Sequence, residues 1–139
     1  MFDQGNLTAT SIKVSARDMP RVSLPGLLIL GSFHTGSTYF FDEGADFDIV
    51  VWVYDLDNYH RALITEGWTA HPATYTGPSF TSYRRGAFNL LVTNDSNYYK
   101  MMMVARATCK TLADWGLLSK EKAHRVEIHR AIQQEYVNV

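Results

Sequence analysis

The chain alternates between two hydrophobic periods. Apart from Asp48, residues 47–54, FDIVVWVY, are β-branched or aromatic and apolar at successive positions, the pattern of a strand covered on both faces. A shorter apolar run, LLILGS (27–32), predicts a buried strand ending at Gly31 and Ser32. Between them, FHTGSTYFFDEGA (33–45) is rich in Gly, Ser and Thr and predicts a loop or a single helical turn. In LDNYHRALITEG (56–67), Leu56, Tyr59, Leu63 and Ile64 recur at helical spacing, with Gly67 as a C-cap. Residues 68–82 read as irregular, and YRRGAFNLLVT (83–93) as a third strand.

Asn94 or Asp95 then caps a helix whose apolar stripe is Tyr98, Met102, Ala105, Cys109 and Leu112, and Gly116 ends it. Ser119 caps a last helix over KEKAHRVEIHRAIQQEY, with Glu121 in its first turn. Residues 1–25 are polar and mixed, and Pro20 and Pro25 break any long helix there. The order strand, strand, helix, strand, helix, helix predicts an α/β or α+β fold with a small mixed sheet. One domain over 27–139 would follow an N-terminal segment, 1–26.

Composition narrows the function classes. The chain has 139 residues, 46% hydrophobic and 19% charged, which suits one globular domain and not a disordered chain. A net charge of -1 supplies no basic field for long nucleic acid, although a local patch stays open. The single cysteine, Cys109, forms no internal disulfide and no cysteine-based zinc site, as expected in a reducing cytoplasm. Neither a signal-type apolar segment nor a run long enough to span a membrane is visible, so a cytoplasmic protein without membrane contact is expected.

The chemistry concentrates in GADFDIVVWV (44–53). Alternation along a strand puts Asp46 and Asp48 on one face, with Phe47 and Ile49 on the other. Two adjacent carboxylates repel unless a cation or a proton intervenes. One reading makes them a solvated strand cap. The other places a cation between them, and magnesium, which takes oxygen ligands and often pairs carboxylates with substrate phosphates, suits the position. A preceding strand that ends in Gly-Ser would offer backbone N–H groups to a phosphate.

The stretch LLILGSFHTGSTYFFDEGADFDIVVWV resembles the signature of the nucleotidyltransferase superfamily with the polymerase-beta-like fold. There an apolar strand ends in Gly-Ser, a second Gly follows, and Asp-x-Asp opens the next strand; Gly31, Ser32, Gly36, Asp46 and Asp48 match. Residues 83–112 are similar to the third strand and following helix of small stand-alone members common in bacteriophage genomes. The resemblance implies a Mg2+ (or Mn2+) site at Asp46, Asp48 and Asn89. It also implies a nucleoside triphosphate held by Gly31, Ser32, Gly36, Ser37 and Arg84, and transfer of a nucleotidyl group to an RNA, protein or small-molecule acceptor. Asn89 stands where active members carry a third carboxylate, and an amide cannot act as a general base at neutral pH. Asp42, Glu43 and Asp95 are the other candidates for that charge. The alternative is a catalytically impaired member that binds a nucleotide, or a phage or host protein, without turnover.

The remaining residues have plainer readings. Arg85, like Arg84, reads as a solvated strand edge or a phosphate partner. Lys100 and Arg106 cover the polar side of the Met-rich helix. Met101, Met102 and Met103 pack the core with some exposure, Cys109 is buried, and Trp52, Trp68 and Trp115 belong to the core. The spacing of His124 and His129 does not suit a zinc site.

Overall fold

The computed structural model describes residues 24–25, 29–70 and 80–137. Most of the N-terminal segment expected over 1–26, and residues 71–79, lie outside the described residues. The described elements are β1 (Ile29–Thr35), α1 (Ser37–Phe40), β2 (Phe47–Val53), α2 (Leu56–Thr65), β3 (Thr69–Ala70), β4 (Thr81–Arg85), β5 (Phe88–Thr93), α3 (Ser96–Asp114) and α4 (Lys122–Val137). They form a mixed α+β fold with a C-terminal helix pair. The sheet order is β1-β2-β5-β4-β3; β2 and β5 run parallel at its centre and every other pairing is antiparallel.

The expected strand at 47–54 is β2. Its alternation splits the core into two layers. Ile49, Val51 and Val53 face α2 and meet Tyr59, Leu63, Trp68, Leu90 and Val92. Val50, with Trp52 beside it, faces α3 and meets Tyr98, Tyr99, Met101 and Met102. Each fully buried aliphatic side chain here contributes roughly 1.5–3 kcal/mol relative to exposure. The expected cap of α3 is present, with Asp95 Oδ1 accepting from the backbone N–H of Asn97 at 2.9 Å. Asp55, not singled out in the sequence, does the same for Asn58 at 3.1 Å. Ser119 accepts from the N–H of Glu121 at 3.1 Å, but α4 starts only at Lys122, so neither Ser119 nor Glu121 takes its expected place at the helix start. A third cluster of Phe40, Cys109 and Leu118, with Ile128 against it, fixes α4 to α3 and α1.

Several expectations are corrected. The first strand does not stop at Gly31–Ser32 but continues to Thr35. Gly31 lies inside it because Tyr99 Oη stands 2.6 Å from where a Cβ would be, so glycine admits a helix side chain there and not a phosphate. The single strand expected over 83–93 is a hairpin, β4 and β5, closed by Gly86 and Ala87. Gly86 carries a positive φ of 60° while Ala87 does not, the requirement of a two-residue type II′ turn. Trp115 is 71% exposed and not core. Arg106 does not simply cover a polar face: its Nε donates to the carbonyl of His34 at 2.6 Å and its guanidinium lies 4.0 Å over the Tyr39 ring.

Candidate functional site

The parallel register of β2 and β5 sets Asp48 beside Asn89, and the antiparallel hairpin sets Asn89 opposite Arg84. These three side chains share the face that looks toward α3 and α4, as alternation required of Asn89 once Leu90 was buried behind it. Asp46 stands just before β2 and joins them at the sheet end.

Together they form one polar chain. Arg84 Nη2 donates to Asp46 Oδ1 at 2.9 Å, and Arg84 Nη1 donates to Asn89 Oδ1 at 2.9 Å. Asn89 Nδ2 in turn donates to Asp48 Oδ1 at 3.0 Å. The amide is used in both senses, oxygen toward the cation and nitrogen toward the anion, so a carboxylate at position 89 would satisfy only one side. The cation between the aspartates is therefore Arg84.

Asp48 is half-buried, and burial is the main reason its carboxyl is pushed above the usual range. The Asn89 hydrogen bond opposes that rise, the charge of Asp46 adds to it, and Lys122 and Arg125 across the cleft oppose it. Gly36 packs directly against this carboxylate: its φ of 86° and ψ of -172° fall where side chains are strained, and a Cβ would run into Asp48 Oδ2.

Of the residues expected to hold a nucleotide, Gly36 and Arg84 lie at the carboxylates and Gly31 and Ser32 do not. Gly31 pairs with Trp52, four residues along β2 from Asp48, or about 13 Å of strand. Ser32 is exposed and pairs with Val51, on the opposite face from Asp48. Thr35, the register partner of Asp48, takes that place. Ser37 opens α1 and packs against Gly44. Asp95 is committed to its helix cap, and Glu43 pairs with Lys120 at 2.7 Å.

The donor set does not suit a two-metal centre as it stands. Among the described residues no three His, Cys, Asp or Glu side chains converge on one point. One oxygen each of Asp46, Asp48 and Asn89 is already engaged within the polar chain. Asp46, Asp48 and Asn89 would be the ligands of a divalent ion, but Arg84 would have to leave first.

Two joined hollows flank the chain. One, about 370 Å3, is lined by Asp46, Asp48, Ser82, Arg84 and Asn89. The other, about 530 Å3, runs between the sheet, α3 and α4, and the two share Asp48, Phe80, Leu91 and Lys122. The larger hollow was not legible in the sequence. Its one local signal was the set Lys122, Arg125, His129, Arg130 and Gln133, spaced to share a helical face. Comparisons of the chain with protein-family models, with curated proteins and with solved structures return no match.

Proposed function

We propose that the protein is a nucleotide-binding protein built on a nucleotidyltransferase-like plan, which holds its ligand without transferring it. The observation that carries this reading is the chain Asp46–Arg84–Asn89–Asp48. In a transferase the carboxylates would present oxygens to metal, and a base would take the proton of the acceptor hydroxyl. In this chain the oxygens face a guanidinium and an amide, and an amide cannot serve as that base. The arrangement offsets one of the two carboxylate charges with Arg84 and engages an oxygen of the other through the Asn89 amide.

Magnesium-dependent nucleotidyl transfer is the second reading. It is favoured by the convergence of Asp46, Asp48 and Asn89 at one sheet end with Lys122 and Arg125 facing them. It requires Arg84 to swing away and a base from elsewhere. The full chain, incubated with each labelled nucleoside triphosphate, Mg2+ or Mn2+, and RNA or protein acceptors, separates the two. Nucleotide binding with no label in any acceptor is expected. Transfer that disappears in Asp48→Asn establishes the enzyme instead.

A further inference from the structure

We infer that the hollow between the sheet, α3 and α4 is a metal-independent binding site for an amphipathic organic anion. Such a ligand has a flat apolar body and a single phosphate or carboxylate head. This assignment rests on the binding reading above and adds where the ligand lies and what chemistry it has.

The walls carry the argument. Phe80 stacks on Tyr98, with centroids 5.2 Å apart and planes 20° apart, and Leu91, Met101 and Met102 continue the same apolar surface. The opposing wall is one face of α4, where Lys122, Arg125, His129 and Arg130 fall at helical spacing. A helix packed over a sheet ordinarily turns apolar residues inward. Among the described residues of α4, Ile128 and Ile132 do so, while a basic stripe borders the hollow.

Among the described lining residues, Lys122, Arg125 and Arg130 are opposed by Asp48 as the sole carboxylate, an excess of positive charge. Among the described residues neither Lys122 nor Arg130 makes an ion pair. Lys122 also opens α4, a helix of 16 residues, so its N–H groups and dipole add to the attraction for an anion at that end. A volume of about 530 Å3 lies in the range of small-molecule sites. Inorganic phosphate would leave the apolar wall unused, and an uncharged aromatic would leave the cations unanswered. A ligand with both parts matches both walls.

The test is titration calorimetry on the full chain in EDTA, with AMP and phenyl phosphate as probes and adenosine, phenol and inorganic phosphate as controls. The two amphipathic anions are expected to bind at least about tenfold more tightly than any control. Lys122→Ala and Arg125→Ala, both at solvent-accessible positions, should each weaken AMP about tenfold, the size of a lost charge-assisted contact. Val126→Trp, which narrows the hollow from an exposed position, should weaken AMP and phenyl phosphate alike. The inference is overturned if AMP binds no better than phosphate, if the α4 variants leave its affinity unchanged, or if binding requires Mg2+ and is lost in Asp48→Asn. Label transfer in the preceding assay sinks the binding-protein reading, whereas absent probe binding without transfer sinks this assignment alone.

Discussion

Asn89 Nδ2 lies 3.0 Å from Asp48 Oδ1 across two parallel strands, and the same amide accepts from Arg84 on its other side. That single side chain converts a repulsive pair of aspartates into a satisfied polar chain. Its replacement is therefore the most informative substitution. In Asn89→Asp the donor to Asp48 disappears and a third negative charge arrives. Metal-free stability should fall by about 1–2 kcal/mol in urea unfolding. Mn2+ binding, followed by titration calorimetry, should tighten relative to wild type and restore part of the loss. Unchanged melting together with unchanged Mn2+ affinity would show that Asn89 does not work in the cleft.

Arg84→Ala tests the competition between guanidinium and metal. The Arg84–Asp46 pair is 39% and 50% exposed at its two side chains, so its loss should cost less than about 1 kcal/mol. The freed oxygens of Asp46 and Asn89 should then bind Mn2+ more tightly than in wild type, read by electron paramagnetic resonance of free Mn2+. Combined with Asn89→Asp, the gain should be larger than for either change alone, because all three ligands act on one ion.

Gly36→Ala separates contact from backbone strain. Residue 36 occupies a region of φ and ψ that is essentially glycine-only, and Asp48 Cγ would lie 3.1 Å from the new Cβ. A loss of about 2–3 kcal/mol is expected. Gly116→Ala is the control: its φ is 73°, yet no atom lies within 4 Å of an added Cβ, so the cost should be about 1–2 kcal/mol. Equal losses for the two would show that the Gly36–Asp48 contact contributes nothing.

Acid sensitivity should trace to His34. Burial, assisted by the Arg106 guanidinium, lowers its pKa from 6.5 to about 4. Between those values the unfolded chain binds a proton that the folded chain refuses. Stability contributed by the neutral ring is thus complete above about pH 6.5 and declines as pH falls toward 4, by at most 1.4 kcal/mol per pH unit. Asp48 acts in the opposite sense, since its raised pKa lets the folded state take up a proton before the unfolded state does. In His34→Gln the decline between pH 6.5 and 4 should flatten in pH-dependent urea midpoints, and a slope as steep as wild type would assign the effect elsewhere.

Local pattern carried much of the fold. The β2 strand, the α2 helix, the Asp95 cap and the stripe through Tyr98, Met102, Ala105 and Cys109 all follow from periodicity and capping chemistry. Alternation, together with the strand adjacency that the resemblance implied, placed Asn89 on the face of Asp48. The partner of the aspartates was hidden, because Arg84 reaches Asp46 across 38 residues and only the sheet register brings them together. Gly31 misled for a related reason: a glycine that makes room for Tyr99 and a glycine that ends a strand look identical in one dimension. Trp115 shows the limit of reading large aromatics as core, since it caps the exposed C-terminal end of α3.

Arg84 and Asn89 face each other within a hairpin closed by two residues, so half of the polar chain forms at small loop-closure cost. The other half arrives only when β2 docks in parallel beside β5, a pairing between strands far apart in sequence and intrinsically slow to form. A slip of one residue would set Phe47 or Ile49 opposite Asn89 and part Asn89 from Asp48 and Arg84 from Asp46, leaving both carboxylates without their partners while the Arg84–Asn89 contact of the hairpin remains. The same four side chains that shape the cleft therefore proofread the register of the sheet that carries it.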